Sequence, residues 1–344
     1  MKPPARSDLV TVFIPAHNER DGILDSMQSV DDQSVKVHRK VVVADNCTDG
    51  TPDIVRGRPG WELYTTTDNA HKKAGALNQA LGAELPEDGY VLVMDADSVL
   101  GPDFLENALR EIDRGHDAVG GVFTGRGGGG FWGFCQRNEY ERYRRDVRRL
   151  RGKTLCLTGT ATLFSVEILR EVAGSRESKT VYDRTALTED FELTLRLKHL
   201  GAKIAAPHDC TLTTEVMETP RDLHRQRLRW KRGAIEALTK YGLTRHTAGH
   251  WGRQMVAGIG AAVTFAYISS IIFAAVTMTA TVYPIWLAVT AVFILERVVS
   301  VRARGWRVSA TAALLVPEMV FDVILQATHV HAWALALTRR KPSW

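Results

Sequence analysis

Cysteine is scarce in this sequence, and the four cysteines lie far apart, at Cys47, Cys135, Cys156 and Cys210. Their spacing excludes the paired-cysteine motifs of zinc sites, and so few of them exclude a small disulfide-stapled secreted domain. Met1 to Asp8 also lack the apolar stretch of a signal peptide. We therefore expect reduced core cysteines in a protein that is not exported and faces the cytoplasm.

The composition excludes long disordered segments and collagen-like repeats. Of the 344 residues, 45% are apolar and 24% are charged, which is close to the average for globular proteins. The 44 basic and 39 acidic side chains give a formal net charge of +5. This length supplies enough material for two domains or for one large one.

Charged residues and histidine are missing altogether from the 41 residues between Met255 and Leu295. Because a membrane-spanning helix needs about 20 mostly apolar residues, this stretch can hold two spans. We expect them near 256–280 and 284–301, with a tight turn from 281 to 284. The alternative is a buried helical hairpin in a large soluble core.

A third apolar segment, 308–337, is interrupted by Glu318, Asp322, His329 and His331. The sequence of this segment is compatible with a membrane-spanning helix, a re-entrant segment or an interfacial helix. The positive-inside rule assigns the arginines between 297 and 307, and the basic residues 339–341, to the cytoplasm. Two spans with a non-spanning third helix fit these charges better than three spans do.

The first 115 residues alternate between strand and helix patterns. Strands are predicted at 10–14, 40–44 and 90–94, and the helices at 20–30, 53–56, 74–81 and 104–114. Strands separated by helices predict an α/β fold with a parallel sheet, and ligands then bind at the carboxyl ends of the strands.

Polar residues follow all three predicted strands, beginning with His17, Asp45 and Asp95 respectively. Taken singly, each loop is equally well explained by ordinary turn chemistry. Asp95 and Asp97, one residue apart at a strand end, could together reach one Mg²⁺ or Mn²⁺ ion that holds a diphosphate. An isolated Asp-x-Asp is common by chance, so this motif is weak by itself.

A series of short motifs gives roughly residues 9–240 a resemblance to family-2 glycosyltransferases. In chain order they are Pro15-Ala16-His17-Asn18-Glu19, Asp45-Asn46, Lys73 with Gly75-Ala76-Leu77-Asn78, Asp95-Ala96-Asp97-Ser98, Gly159-Thr160, Thr188-Glu189-Asp190 and Gln226-Arg227-Leu228-Arg229-Trp230. The last resembles the Gln-x-x-Arg-Trp signature of cellulose, chitin, hyaluronan and poly-N-acetylglucosamine synthases. The resemblance implies a GT-A fold, a nucleoside-diphosphate sugar donor, usually a UDP-sugar, and a divalent metal.

The resemblance also implies a role for each site residue. The residues implied to bind the UDP-sugar are Ala16, Glu19, Asp45, Lys73, Asp95, Gln226, Arg229 and Trp230. Asp97 and Asp95 would hold Mg²⁺ or Mn²⁺. Asp190 would be the catalytic base of an inverting transfer. The acceptor would meet Gly159, Thr160, Glu189 and Trp230.

Plainer explanations exist for two of these assignments. Lys73 could be a solvated neighbour of Lys72 and His71. Glu189 and Asp190 could be first-turn acids that complement the dipole of a helix running to residue 199, with Thr188 as its N-cap.

Basic residues concentrate in two further stretches. A predicted helix at 221–240 is rich in arginine, and 137–151 contains seven arginines with acids between them. The partner of the first stretch is either the substrate or, as the alternative, an anionic membrane surface. We expect no nucleic-acid partner, because charge alternation and a nearby membrane explain the second one.

The family resemblance, together with the apolar segments, implies an inverting, metal-dependent hexosyltransferase of the inner or plasma membrane. Its parts are a cytoplasmic GT-A domain at 1–220, basic interfacial helices at 221–253 and a membrane region at 254–344. The acceptor would be a growing polysaccharide or oligosaccharide. The alternatives are a single transfer to a polyprenyl phosphate or glycolipid, and a non-catalytic nucleotide-sugar-binding scaffold. Two or three spans leave little material for a polymer channel. Three explanations are compatible with this: homo-oligomerisation, a partner protein, or the addition of only one or a few sugars.

Overall fold

The computed structural model describes residues 9–278 and 284–338. The predicted turn lies mostly outside the described residues, and so do Met1 to Asp8 and the basic residues Arg339, Arg340 and Lys341. All four cysteines lie in the described parts and are free thiols.

The chain divides into two compact units. The first holds residues 1–126 and 146–215, and the second holds 127–145 and 216–344. Each unit is described by itself, and the boundaries expected at 220 and 253 stay predictions.

The strands of the first unit form two sheets. They are β1 (Val10–Ala16), β2 (Arg39–Ala44), β3 (Glu62–Thr65), β4 (Tyr90–Met94), β5 (Val99–Leu100), β6 (Ala118–Gly120), β7 (Val122–Gly125), β8 (Ala161–Ser165), β9 (Ile204–Ala205) and β10 (Thr211–Thr214). The larger sheet has the order β3-β2-β1-β4-β8-β6-β9, and the smaller has the order β5-β10-β7.

The first four strands of the larger sheet are parallel, as the alternating pattern predicted. In the register of β1, Ala16 lies beside Ala44 of β2, and Phe13 lies beside Val93 of β4. β8 runs antiparallel to both β4 and β6, so the complete sheet is mixed. The ends of β1, β2 and β4 therefore meet at one edge of the sheet.

Helices cover both faces of this sheet. Those of the first unit are α1 (Ile23–Asp31), α2 (Thr51–Arg56), α3 (Lys72–Glu84), α4 (Phe104–Asp113), α6 (Val166–Gly174) and α7 (Glu189–His199), while α5 (Gly130–Arg149) crosses the unit boundary after Arg145. Val12 and Ile14 pack with Met27 of α1 on one face, whereas Phe13 packs with Leu77 of α3 on the other. Burial on both faces explains the continuous apolar runs of the central strands.

The second unit is helical apart from its connections. Beyond the first part of α5 it contains α8 (Pro220–Tyr241), α9 (Ala248–Val276), α10 (Pro284–Val301), α11 (Trp306–Ala313) and α12 (Val316–Leu337), with a 3-10 turn at Arg302–Arg304. Leu228 and Ile235 of α8 pack against Ala332 of α12.

Among the residues that the structure describes, three helices are long and apolar enough to cross a membrane, namely Ala248–Val276, Pro284–Arg304 and Val316–Leu337. Apolar side chains of the first are widely exposed, with Phe265 at 75% and Val276 at 78%. The third apolar segment breaks at Leu315, whose φ of +57° interrupts the helix before α12 begins. By length and composition, α12 can span a bilayer. The preference for a non-spanning third helix rests on the positions of the basic residues and stays a prediction.

Candidate active site

The residues that follow β1, β2 and β4 come together at one edge of the large sheet. The backbone amide of Asp45, just after β2, donates to the carbonyl oxygen of Ala16 at the end of β1, at 2.8 Å. The amide of Asp95, just after β4, donates to the carbonyl oxygen of Thr160 at 3.0 Å. The predicted site edge is therefore held together through the main chain.

The Asp45 carboxylate is buried and accepts several hydrogen bonds. Its Oδ1 accepts from Thr66 Oγ1 and from Asn69 Nδ2, both at 2.8 Å. Asn69 also donates to the carbonyl oxygen of Lys72 at 2.8 Å. Asn69 and Thr66 were not predicted, because they lie in a polar loop between β3 and α3 that carries no recognised motif.

Two residues of the Gly75 to Asn78 motif, the first and the last, have structural roles in the site. A Cβ on Gly75 would lie 1.9 Å from Asn69 Oδ1, so only glycine leaves room for the loop that reaches Asp45. The side chain of Asn78 is buried, donates to the carbonyl oxygen of Tyr182, and accepts from the Tyr182 amide at 2.9 Å. This part of the motif shapes the walls of the site.

Lys73 lies in the first turn of α3 and connects two acidic groups. Its Nζ forms an ion pair with Asp95, lies 3.1 Å from Glu189 Oε1, and donates to the carbonyl oxygen of Gly159 at 3.5 Å. Burial alone would lower the pKa of Lys73, but Asp95 and Glu189 raise it well above its ordinary value. Lys73 is therefore a charged member of the site, and these contacts argue against the interpretation as a solvated neighbour of His71.

A second group of carboxylates gathers beside Asp95. Burial raises the pKa of Glu19 to about 7, with Asp97 and Glu215 adding to the shift. Burial, then Asp95 and Glu215, raises the pKa of Asp97 to about 6. We call Glu19, Asp95, Asp97 and Glu215 the carboxylate cluster. Glu215 was not predicted; it directly follows β10, so the strand-end rule would have found it had β10 been recognised.

This surplus of negative charge fits a divalent cation shared with a substrate. Among the described residues, no three His, Cys, Asp or Glu side chains lie close enough to hold a metal by themselves. Mg²⁺-type sites in nucleotide enzymes commonly use one or two carboxylates and complete their coordination with waters and phosphates. The donor set of Asp95 and Asp97 matches that pattern.

Asp190 lies in the first turn of α7, and two backbone amides hold its carboxylate. Gly159 N donates to Oδ2 at 2.9 Å, and Phe191 N donates to Oδ1 at 2.7 Å. Burial, then Glu189, raises the pKa of Asp190 to about 6, against the opposing effects of Lys73 and the two amides. Thr188 takes the predicted N-cap position of α7, and its hydroxyl makes no capping hydrogen bond.

A cleft with about 320 Å³ of empty space lies between these groups. Its polar lining includes Lys73, Thr158, Gly159, Glu189 and Asp190. Its apolar lining includes Val93, Leu157, Phe164, Tyr182 and Leu193. The cleft thus brings Lys73 and Asp190 to one open space, with Gly159 between them.

Gly159→Ala is expected to lower turnover between about 10- and 100-fold, because small displacements of reacting groups are costly. An added Cβ would lie 3.0 Å from Lys73 Nζ and 3.3 Å from Asp190 Oδ2. Release of nucleotide by the purified variant is the measurement. Gly82→Ala is the matched control, because a Cβ on that helical glycine meets nothing within 4 Å. Equal activity of both variants would contradict this placement of Gly159.

The Gln-x-x-Arg-Trp residues lie on α8, in the second unit. Arg229 is exposed, and Trp230 is 36% exposed. Gln226 Oε1 accepts a hydrogen bond from Nη1 of Arg227 at 2.9 Å. Gln226 and Trp230 both contact Arg227. Arg227 is buried and occupies one of the two variable positions of the Gln-x-x-Arg-Trp signature.

Arg227 joins α8 to α5 within the second unit. Its Nη2 lies 2.6 Å from Glu139 Oε2, and its guanidinium stacks 4.3 Å from the centre of the Trp230 ring. Arg232 is also buried and pairs with Glu236 at 2.6 Å. The basic face predicted for α8 is therefore divided, with buried arginines at 227 and 232 and exposed ones at 221, 225 and 229.

Arg227→Ala is expected to destabilise the second unit by about 2 kcal/mol, less than the loss for a fully buried pair, because Glu139 is 30% exposed. The measurement is the melting temperature of the full chain in detergent. Arg225→Ala on the same helix is the control, since its 3.7 Å pair with Asp222 is largely exposed. A melting temperature equal to that of the control would contradict the structural role of Arg227.

Residues 11–173 match the family described as glycosyl transferase family 2. This segment, a little less than half of the chain, is therefore similar to glycosyltransferase family 2. The matched segment runs from β1 to α6 and includes Asp45, Lys73, Asp95 and Asp97, but it ends before Asp190 and before α8.

Two curated proteins are similar in sequence to this chain. An uncharacterized glycosyltransferase of Escherichia coli (strain K12), YaiP, is 27% identical over 239 residues, which cover 67% of this chain and 57% of the relative. A poly-beta-1,6-N-acetyl-D-glucosamine synthase of Staphylococcus aureus (strain MSSA476) is 25% identical over 242 residues, which cover 67% and 56%. The chain thus spans little more than half the length of these relatives.

A solved structure with the same fold is the mannosyltransferase PcManGT from Pyrobaculum calidifontis in complex with GDP-Man and Mn²⁺. It superposes with a TM-score of 0.64 and 20% identity, and covers 97% of this chain and 88% of that one. This likeness confirms the expected α/β fold of the GT-A type.

Proposed function

We propose that this glycosyltransferase transfers a sugar from a UDP-sugar to a hydroxyl of a growing polysaccharide or oligosaccharide, with inversion at the anomeric carbon. The observation that carries the proposal is the continuous chain of contacts from Asp190 through Gly159 and Lys73 to Asp95. A carboxylate with a raised pKa and a fixed cation thus line one cleft. The name of the Staphylococcus aureus relative supports a polysaccharide product.

Asp190 acts as the base in this proposal. It accepts the proton of the acceptor hydroxyl while the oxygen attacks the anomeric carbon. A pKa of about 6 leaves most of the carboxylate ionised at pH 7 and makes it a stronger base than an ordinary aspartate. The amides of Gly159 and Phe191 fix the orientation of the carboxylate.

Lys73 faces the departing diphosphate. Its ammonium group is balanced by Asp95 and Glu189, so an anionic substrate can take over part of that pairing. We assign Arg229 to the same leaving group, because a guanidinium can bind a phosphate with two hydrogen bonds. Gln226 would assist Arg229. Both assignments rest on the Gln-x-x-Arg-Trp signature that α8 carries.

Asp97 and Asp95 would hold Mg²⁺ or Mn²⁺. A bound divalent ion supplies positive charge that stabilises the leaving diphosphate. Glu19 and Glu215 add negative charge to the cluster and favour a cation there. Mn²⁺ is present in the solved mannosyltransferase that shares the fold.

The remaining residues would bind nucleoside and acceptor. Ala16 and Asp45 line the nucleoside side in this proposal, where Asn69 and Thr66 hold the Asp45 carboxylate. Gly159, Thr160 and Glu189 would meet the acceptor, since Gly159 has no side chain to obstruct the cleft. Trp230 would stack on a sugar ring.

We place the enzyme in the inner or plasma membrane as a multi-pass protein with a cytoplasmic catalytic domain. Within the described ranges 9–278 and 284–338, three helices of sufficient length and apolar character support the membrane placement. The arginines between 297 and 307 support the orientation through the positive-inside rule. The second candidate, a single transfer to a polyprenyl phosphate or glycolipid, would use the same catalytic groups.

A donor screen tests the proposal. Membranes containing the full chain are incubated with labelled UDP-sugars and with GDP-mannose, in Mg²⁺ or Mn²⁺, and nucleotide release and product size are measured. We expect release from a UDP-sugar and label in a polymer. Label in an organic-extractable lipid would favour the second candidate, and turnover of GDP-mannose alone would overturn the UDP assignment.

A further inference from the structure

A large cavity lies among three helices of the second unit, and its lining shares no described residue with the catalytic site. Together with the open space at its mouth, it holds about 640 Å³ between α9, α10 and α12. Its apolar walls include Val263, Tyr267, Trp286 and Phe293. The Tyr267 and Trp286 rings meet edge to face, with their centres 5.1 Å apart. Spaces between helices are common binding sites for organic ligands.

The polar end of this cavity is a network of paired charges. Arg297 forms an ion pair with Asp322, and its Nη1 lies 3.2 Å from Glu318 Oε2. Glu318 also pairs with Arg142 at 2.7 Å and accepts a hydrogen bond from Asn138 at 2.6 Å. Glu296 lies 3.7 Å from Arg297 and 3.8 Å from Arg145, so three arginines and three carboxylates balance and the network is neutral in sum.

Exposure differs among the members of the network that line the cavity. The side chain of Glu318 is 3% exposed, that of Arg297 is 12% exposed, and that of Asp322 is 26% exposed. Asp322 is therefore the charged group with the most surface left for a ligand. Its free hydrogen-bonding capacity is that of an acceptor, which suits hydroxyl donors.

The same pairing argues against an anionic headgroup. Arg297 is the basic residue in the lining, and both carboxylates of the lining already engage it. A phosphate would have to displace one of them and would lie beside the other. An uncharged headgroup with hydroxyls can instead hydrogen-bond to Asp322 and to Gln326, which also lines the cavity.

The positions of the polar groups along the helices match an amphiphile. Arg297 is near the C-terminal end of α10, and Glu318 and Asp322 lie in the first two turns of α12. Trp286 lies near the opposite end of α10, on the apolar side of the cavity. The cavity thus has a polar end and an apolar end along two helices that are long enough to span a bilayer.

We propose that this cavity binds a membrane lipid with an uncharged, hydroxyl-bearing headgroup, of the diacylglycerol or glycosyl-diacylglycerol class. Its headgroup lies at Asp322, and its chains lie against Tyr267, Trp286 and Phe293. The proposal rests on the proposed function only for the placement of these helices in a membrane. It does not depend on the sugar donor or on turnover.

Photolabelling of the full chain tests the site. The protein is reconstituted in phosphatidylcholine nanodiscs with a trace of a photoreactive diacylglycerol, and labelled peptides are mapped. Thr290→Trp fills the cavity from α10, and we expect about tenfold less labelling, because the ligand loses its space. Val292→Trp is the matched control, since Val292 is 67% exposed on the same helix and does not line the cavity. It should label like the unchanged protein.

Competition separates the lipid classes. Unlabelled diacylglycerol should reduce labelling, whereas phosphatidic acid and a polyprenyl phosphate should not. Stronger competition by either phosphate lipid, or equal labelling of the Thr290→Trp and Val292→Trp variants, would overturn the proposal. Extraction of the chain from membranes by alkaline carbonate would instead overturn the membrane placement, so the two failures are distinguishable.

Discussion

Asp190→Asn should lower kcat by about 10²–10⁴-fold, the usual contribution of a general base, with little change in UDP binding. The amide side chain keeps the size of the carboxylate but cannot accept a proton from the acceptor hydroxyl. The oxygen of the new amide could still accept the hydrogen bond that Phe191 N donates, so the fold of α7 should persist. The measurements are UDP release under donor saturation and UDP affinity by calorimetry.

Glu189→Gln is the matched control for this prediction. Glu189 is the adjacent acid of the same cleft, but it is paired with Lys73 at 3.1 Å, whereas two backbone amides hold Asp190. We expect the Gln variant to lose about tenfold or less, since it removes a charge but leaves the proposed base, Asp190, in place. A larger loss in Glu189→Gln than in Asp190→Asn would transfer the role of base to Glu189.

The pH dependence gives a second test of the same residue. Burial and Glu189 raise the pKa of Asp190 to about 6, so its basic form is lost as the pH falls through that value. We expect kcat/KM to rise with pH below about 6 and to level off above it. A profile in which kcat/KM stays flat down to pH 5 would be inconsistent with Asp190 as the base.

The strand ends were predictable because the central strands are buried on both faces. Such burial leaves continuous runs of valine, isoleucine and leucine, and the residues after those runs fall at one sheet edge. β1, β2 and β4 follow this rule, and Asp45 and Asp95 were placed correctly at that edge. β3 has no comparable run, since Glu62 and Thr65 at its ends are exposed, and it was not predicted.

Contacts made across the fold could not be predicted in the same way. Arg227 looks like any other arginine of a basic helix, yet it is buried against Glu139 and Trp230, because α5 packs beside α8 in the second unit. Asn69 likewise reaches Asp45 from 24 residues away only because Gly75 leaves space. No local periodicity encodes either partner, since both depend on the packing of distant segments.

Asp97→Asn should abolish most of the activity, with a loss of about 10³-fold at low metal concentration, because charge stabilisation by a bound ion contributes several kcal/mol. Asp97 lies in the carboxylate cluster, where Asp95 and Glu215 both raise its pKa. A chelator should likewise abolish the activity of the unchanged protein, and excess Mg²⁺ or Mn²⁺ should restore it. The measurement is UDP release as a function of metal concentration, and the variant should need far more metal.

Asp103→Asn is the control for the loss of a negative charge, since Asp103 is exposed and its side chain caps nothing. Full activity in the presence of a chelator would contradict the metal assignment.

Proton release gives a readout apart from turnover, because a cation must displace protons from the carboxylate cluster. Burial holds the pKa of Glu19 at about 7 and that of Asp97 at about 6, so both groups are partly protonated near pH 6. Binding of the preformed Mn²⁺–UDP complex should therefore release protons at pH 6 and almost none at pH 8.5, as calorimetry in buffers of different ionisation enthalpy would measure. Equal proton release at both pH values would show that the ion binds elsewhere.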